Sequence, residues 1–239
     1  MSGIMMHYMS HSASSISLVY DLDAANFLDV PTTGDTDATG NFPLTVSNTN
    51  SRISWSSDNG GVFRSTYIGD SMGDYIKGGP NFENYPSNNQ SYTVFIAYKL
   101  YTSATGRLIN SNETNYDWLM GAYCGHPQTF FSNGVYANLN SSTADTVWHL
   151  DWGTFDKTTG SAYLYSATTA APTTHTYSLT GTQGSPTSFK GFNQIRLFNR
   201  SSGFEAAPAD IGFVKVWNGV LSLSQIQDQW NTYYTRFGY

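Results

Sequence analysis

From Ile16 onward apolar and polar residues alternate with a period of two, and only after Ser222 does the spacing switch to a helical 3.6. In SYTVFIAYKLY, Tyr92, Val94, Ile96, Tyr98 and Leu100 fall on one face, with Thr93, Phe95, Ala97, Lys99 and Tyr101 on the other. Both faces carry apolar residues, as expected of a central strand. TVWHLDWGTFDKTTGSAYLYS predicts a hairpin: Trp148, Leu150 and Trp152 alternate, a polar Asp-Lys-Thr-Thr-Gly segment turns, and AYLYS returns. ISLVYDLDAAN, QIRLFNR and DIGFVKVWN predict further strands, and DNGG, GDSMGD, KGGP and TQGSP read as turns between runs. Strands joined by short turns, with no helices interleaved, predict an all-β antiparallel two-sheet sandwich.

The ending differs. Ser222 and Gln225 fit a capping box, Ile226, Trp230, Tyr234 and Phe237 fall on one stripe, and Gly238 is a usual stop. A short C-terminal amphipathic helix is therefore expected, packed as a lid over an open end or edge of the sandwich. Residues 16–239 read as a single domain, since no linker or fixed-period repeat divides them. Residues 1–15 show neither period and hold four of the six methionines. Methionine is adaptable at contacts, so this segment reads either as a frayed terminus or as an arm in which Met5, Met6, Tyr8 and Met9 dock on a neighbouring subunit.

Composition changes the picture in one respect. Charged residues make up 12% of the chain, about half of the roughly 25% usual for soluble domains, so hydroxyls and amides must cover the surface. That surface resembles those of extracellular and particle proteins. The net charge of -6 and the lack of any basic run weigh against nucleic acid as a partner, and against attachment to a membrane surface. No apolar run is long enough to span a bilayer, and the first basic residue, Arg52, comes too late for a secretion signal. Cys124 is the single cysteine, so no intrachain disulfide is expected.

Four stretches, LVYDLDAAN, IGDSMGDYIKGGPNF ahead of SYTVFIAYK, WHLDWGTFDKTTGSAYLYS, and DIGFVKVWNGVLSLSQIQDQWNTYYTRFG, occur in an order that resembles the laminin-G-like, or concanavalin-A-like, jelly roll in the form found in bacteriophage particle proteins. The resemblance spans roughly residues 16 to 239 and implies first and last strands lying side by side. It also implies a non-enzymatic virion surface protein, a capsid decoration or a tail or fibre component. Such a protein docks on other virion proteins, plausibly as a homo-oligomer, and can adhere to a host surface glycan. A free carbohydrate-binding lectin is the alternative, and a polysaccharide hydrolase a more distant one.

Candidate chemistry is sparse. Ser71 in GDSMG matches a nucleophile-elbow pattern, but the following Gly-Gly-Pro forbids the helix that motif needs. The paired glutamates of the family's glucan hydrolases are missing: Glu83, Glu113 and Glu205 are isolated, and Asp151 and Asp156 fall on opposite faces of an extended strand. Many laminin-G-like domains hold calcium through oxygen ligands, and Asp35 and Asp37 in TGDTDATGN are the candidate pair, although Val46 stands where a calcium loop would end in Glu. The same aspartates suit an Asx-rich turn without an ion. Cys124 and His126 are too few for zinc, and His149 reads as a structural hydrogen-bonding residue. Asn115, Asp117, Trp118 and Tyr123 combine rings and hydroxyl-binding groups as a sugar site would, while the two rings would equally fill a sandwich core.

Overall fold

The period-two runs become strands. The computed structural model describes residues 15–67, 73–82, 91–102, 106–111, 118–123, 126–132, 135–138, 146–159, 161–167, 178–179, 191–199 and 206–239. In chain order these form β1 (Leu18–Asp23), β2 (Thr45–Ser47), β3 (Ile53–Ser56), β4 (Val62–Ser65), β5 (Tyr75–Asn81), β6 (Tyr92–Leu100), β7 (Ile109–Ser111) and β8 (Trp118–Tyr123). There follow β9 (His126–Ser132), β10 (Val135–Asn138), β11 (Trp148–Asp156), β12 (Ser161–Ala167), β13 (Ser178–Leu179), β14 (Asn193–Leu197), β15 (Ala209–Trp217) and the helix α1 (Leu223–Tyr233). One sheet runs β12-β11-β6-β15-β4-β3 with β1 also on β15, and the other runs β13-β10-β9-β8-β7-β14-β5-β2. All pairings between these strands are antiparallel.

The first and last strands are neighbours, in register from Leu18 opposite Trp217 to Asp23 opposite Phe213. β15 is the spine of its sheet: β6 lines one side along its length, while β4 and then β1 share the other. All nine of its residues are buried.

Between the sheets lies an aromatic core. Tyr92, Val94, Ile96, Tyr98 and Leu100 point into it and are fully buried. Tyr92 stacks on Phe82 and meets Phe130, Phe155 and Phe192 edge-on or tilted. His149 is 1% exposed with its ring stacked on that of Tyr98, in keeping with a structural histidine.

The helix forms as its cap predicts. Ser222 Oγ accepts from the Gln225 amide at 3.3 Å, and Gln225 Oε1 accepts from the Ser222 amide at 2.9 Å. Its position differs from the expected lid over an end or edge, for α1 lies on the outer face of the β6 sheet. That face requires a cover, because the second side of the period-two pattern presents Phe95, Ala97, Trp148, Leu150, Trp152, Phe213 and Trp217 outward. Ile226, Trp230, Tyr233 and Phe237 close over these rings. The stripe passes through Tyr233 rather than Tyr234, because Tyr233 still lies within α1, seven residues or about two turns after Ile226, and a 3-10 helix over Tyr234–Phe237 follows it. Tyr233 thereby meets Phe213 at 4.7 Å, and Tyr234 stacks back on Trp230. Gly212 makes this approach feasible, since a Cβ there would sit 2.6 Å from Phe237 Cζ.

Beside the helix, Asp23 collects charge. Arg236 Nη1 donates to both of its oxygens at 2.8 and 2.9 Å, the Ala25 amide donates at 2.9 Å, and the buried Lys215 ammonium lies 3.8 Å away while donating to Asp21.

One expected turn is a strand. KGGP lies inside β5, where Gly79 adopts φ +96 and both glycines face Tyr20: the missing side chains make room for its ring and hydroxyl. DNGG does turn, as a 3-10 segment over Asp58–Gly60 between β3 and β4.

Candidate functional site

Of the sequence-predicted site residues, the side chains of Asp35, Asp37 and Trp118 are described, and each is engaged within the fold. Asp37 is 2% exposed, and its carboxylate accepts from the amides of Asp21 (3.0 Å), Phe42 (3.0 Å) and Thr39 (3.2 Å) and from the Thr39 hydroxyl (2.6 Å). Asp35 accepts from the amide and hydroxyl of Thr32 at 2.6 and 3.0 Å. Both act as Asx-type anchors of the loop before β2, and among the described residues no group of three or more His, Cys, Asp or Glu is placed to hold a metal ion. Trp118 is 1% exposed within the core, its indole N–H donating to the Tyr92 hydroxyl at 3.0 Å; of its two readings, core and sugar platform, it takes the first. Asn115, Asp117, Met5, Met6, Tyr8, Met9, Ser71, Cys124 and the three glutamates lie outside the described residues, as does the side chain of Tyr123.

What the fold builds instead is a groove of about 720 Å³ where the two sheets part at their β2 and β3 edges. Its walls include Asp29, Pro31, Thr32, Asn48, Ser54 and Trp55. Each wall is fixed from outside. The Trp55 indole N–H donates to the Ala24 carbonyl at 2.9 Å, setting the ring at the groove while leaving it half-buried. Asn48 closes the β2-β3 connection by exchanging hydrogen bonds with Ile53, at 2.7 Å through Nδ2 and 3.1 Å through Oδ1. Thr33 Oγ1 both accepts from the Val46 amide at 2.9 Å and donates to its carbonyl at 3.0 Å, which satisfies the free edge of β2. Asp29 is exposed, and among the described residues its carboxylate accepts from the adjacent Val30 amide alone. Oxygen lone pairs therefore remain for a ligand, beside an aromatic face and several hydroxyls.

A second depression, of about 430 Å³, adjoins the first through Ser51 and Ser54. There the Arg52 guanidinium lies 4.0 Å over the Tyr67 ring, while Arg64 is held by Asp210 at 2.7 Å and Asp58 at 2.6 Å. No sequence spacing announces either depression, because the lining comes from separate loops and strand edges.

Asp151 is the conspicuous buried acid. It points between the sheets, fully buried, and accepts from the Tyr98 hydroxyl at 2.7 Å, from Gln128 Nε2 at 3.2 Å and from the Ser166 hydroxyl. Burial pushes its carboxyl above the usual range, with nearby His149 and these three hydrogen bonds pulling the other way. The folded chain thus keeps the proton where the unfolded chain has released it, so the contribution of Asp151 to stability falls as pH rises from about 4. Asp151→Asn imitates the protonated form. Its melting temperature is expected to gain on that of the parent from pH 4 to neutrality in a thermal series; a constant offset at every pH contradicts this. Asp156, at the strand end, instead accepts from the Thr158 amide and the Thr159 hydroxyl at the hairpin turn, so the two acids do not face one another.

No family model matches the chain, and no curated protein sequence does. Solved structures match it across most of its length. Domain 4 of AbnA, a GH43 extracellular arabinanase from Geobacillus stearothermophilus solved with arabinotriose, is 16% identical with a TM-score of 0.55, over 89% of this chain and 98% of that one. The botulinum neurotoxin type G receptor binding domain is 10% identical with a TM-score of 0.56, over 90% of this chain and 51% of that one. Trypanosoma rangeli sialidase is 11% identical with a TM-score of 0.54, over 93% of this chain and 34% of that one. The chain therefore spans about half of the toxin domain and a third of the sialidase. At these identities the likeness speaks to fold alone, a sandwich of two antiparallel sheets with β1 seated beside β15.

Proposed function

We propose that the chain is a non-enzymatic adhesion module whose edge groove binds a surface glycan. The observation that carries the reading is the groove itself: a fixed, half-buried Trp55 beside an uncommitted Asp29 and a wall of Thr, Ser and Asn. Saccharides present CH faces, which stack on indole, and hydroxyl edges, which donate to carboxylate and amide oxygens. The neighbours support it by analogy, since one was solved with a bound arabinotriose and another is a receptor binding domain. Cleavage of the bound sugar is not part of the proposal. Glycoside hydrolysis needs two carboxyl groups flanking the bond, and Asp29 is the single acid among the groove's described lining.

A glycan array probed with the purified protein tests this. Saturable binding to a defined set of saccharides is expected, and Trp55→Ala is expected to weaken it at least tenfold, about 1.4 kcal/mol, with Trp55→Phe retaining most of it. Binding unchanged in Trp55→Ala removes the groove from the mechanism.

The setting we propose is the surface of a bacteriophage particle, with residues 1–15 docking the module on other virion proteins. Its support is the order of the four sequence stretches and the hydroxyl-rich, charge-poor surface. Particles that an antibody to this chain fails to label would exclude that setting while leaving glycan binding untouched.

A further inference from the structure

The outer face of the β14 sheet holds two cations, Lys77 and Arg196, that no acid among the described residues neutralises. Cross-strand register places Thr45, Lys77, Arg196 and Asn110 in one row across β2, β5, β14 and β7. Arg196 is 6% exposed. Its guanidinium carbon lies 3.7 Å over the Tyr75 ring, and its Nε donates to Asn199 Oδ1 at 2.6 Å. Asn199 is itself locked, donating to the Asp74 carbonyl at 3.0 Å and accepting through its own carbonyl from Asn110 Nδ2 at 2.8 Å. Lys77, directly opposite Arg196, lies 5.8 Å from the same ring.

Among the described residues neither cation forms an ion pair. The contrast with other basic residues is sharp. Arg64 has Asp58 and Asp210, Lys215 has Asp21, and Arg236 has Asp23. In a chain with net charge -6 acids are not in short supply, yet like charges stand directly opposite, an arrangement that destabilises a sheet. Burial accordingly pushes the Arg196 guanidinium down to about 10. A third group is unmet in the same row, for Asn110 Oδ1 is buried and accepts no hydrogen bond. The row thus offers a rigid guanidinium fork, an ammonium and a waiting acceptor.

We propose that this row is a second ligand site, separate from the edge groove, that takes the carboxylate of an acidic saccharide. The fork and ammonium match an oxyanion, and the idle Asn110 oxygen matches a hydroxyl donor carried by the same ligand. A uronic acid unit supplies both; a neutral sugar lacks the first.

The test is calorimetric titration at low ionic strength with three probes: an oligomer of galacturonic acid, a neutral galactose oligomer of equal length, and inorganic phosphate. The acidic oligomer is expected to bind, more weakly as salt rises, with phosphate at least tenfold weaker and the neutral oligomer giving no heat that survives Trp55→Ala. Because Arg196 is buried and its loss would disturb the sheet itself, Lys77→Glu is the informative variant. It pairs with Arg196, so the free protein should melt higher while affinity for the acidic oligomer drops at least tenfold. Trp55→Ala should leave that affinity in place, which separates this site from the groove. An absence of acidic-oligomer binding in the parent, or equal binding by Lys77→Glu, overturns the site, and phosphate binding as tightly as the oligomer overturns its assignment to a saccharide.

Discussion

Replacing Asp23 with alanine is expected to lower the unfolding free energy by about 3–5 kcal/mol, the usual cost of removing one member of a buried ion cluster. The carboxylate is 7% exposed and serves three donors at once: Arg236, the Ala25 amide and, at longer range, Lys215. Its loss leaves Arg236 held only by the Asn59 and Gly61 carbonyls, and leaves Lys215, 3% exposed, with Asp21 alone. The geometric effect adds to this, because Arg236 fastens the end of the C-terminal segment to the β1 end and to the β3-β4 turn. Chemical denaturation measures the cost, and a change below about 1 kcal/mol would show that the cluster is solvated like a surface pair. Asp23→Asn separates the two contributions, since it keeps an acceptor for Ala25 and removes the charge.

Removal of residues 222–239 is expected to have the larger consequence. The segment contributes Ile226, Trp230, Tyr233 and Phe237 to a cluster that also contains Phe95, Trp148, Leu150, Trp152 and Phe213. Burying a large apolar side chain is worth about 1.5–3 kcal/mol, so uncovering several of them exceeds the roughly 5–15 kcal/mol that holds a domain together. The truncated chain should be recovered mainly in the insoluble fraction, and any soluble remainder should bind a hydrophobic dye. A soluble truncation that melts cooperatively near the parent would mean that the sandwich stands without its cover.

Much of this was legible in the sequence where a single element carries its own signal. β6 and the β11-β12 hairpin announce themselves through alternation on two apolar faces, and α1 through the Ser222–Gln225 box. The same two-faced alternation held the clue to the helix's position: a strand with Trp148, Leu150 and Trp152 outward needs something apolar outside it. Strands such as β2, β3 and β7, of three or four residues, are too short for a period to register. KGGP reads locally as a turn because the reason for its glycines, the Tyr20 ring, lies far away in the chain. Both candidate sites are hidden for that same reason. Trp55 on β3 and Asp29 in the loop before β2 come to line one groove only in the fold, and Lys77 becomes the neighbour of Arg196 only through register. Trp118 shows the converse: its local company of Asn and Asp resembles a binding loop, while its own place is the core.

The seat of β15 bears on how the protein comes into being. A chain emerging from the ribosome makes β6 about a hundred residues before it makes β15, the strand that joins β6 to β4 and β1. Contacts of such long sequence separation form slowly, so one edge of β6 waits unpaired while the intervening strands are made. An apolar strand edge left open in this way is a template for pairing with another chain, and that hazard ends only when β15 takes its place.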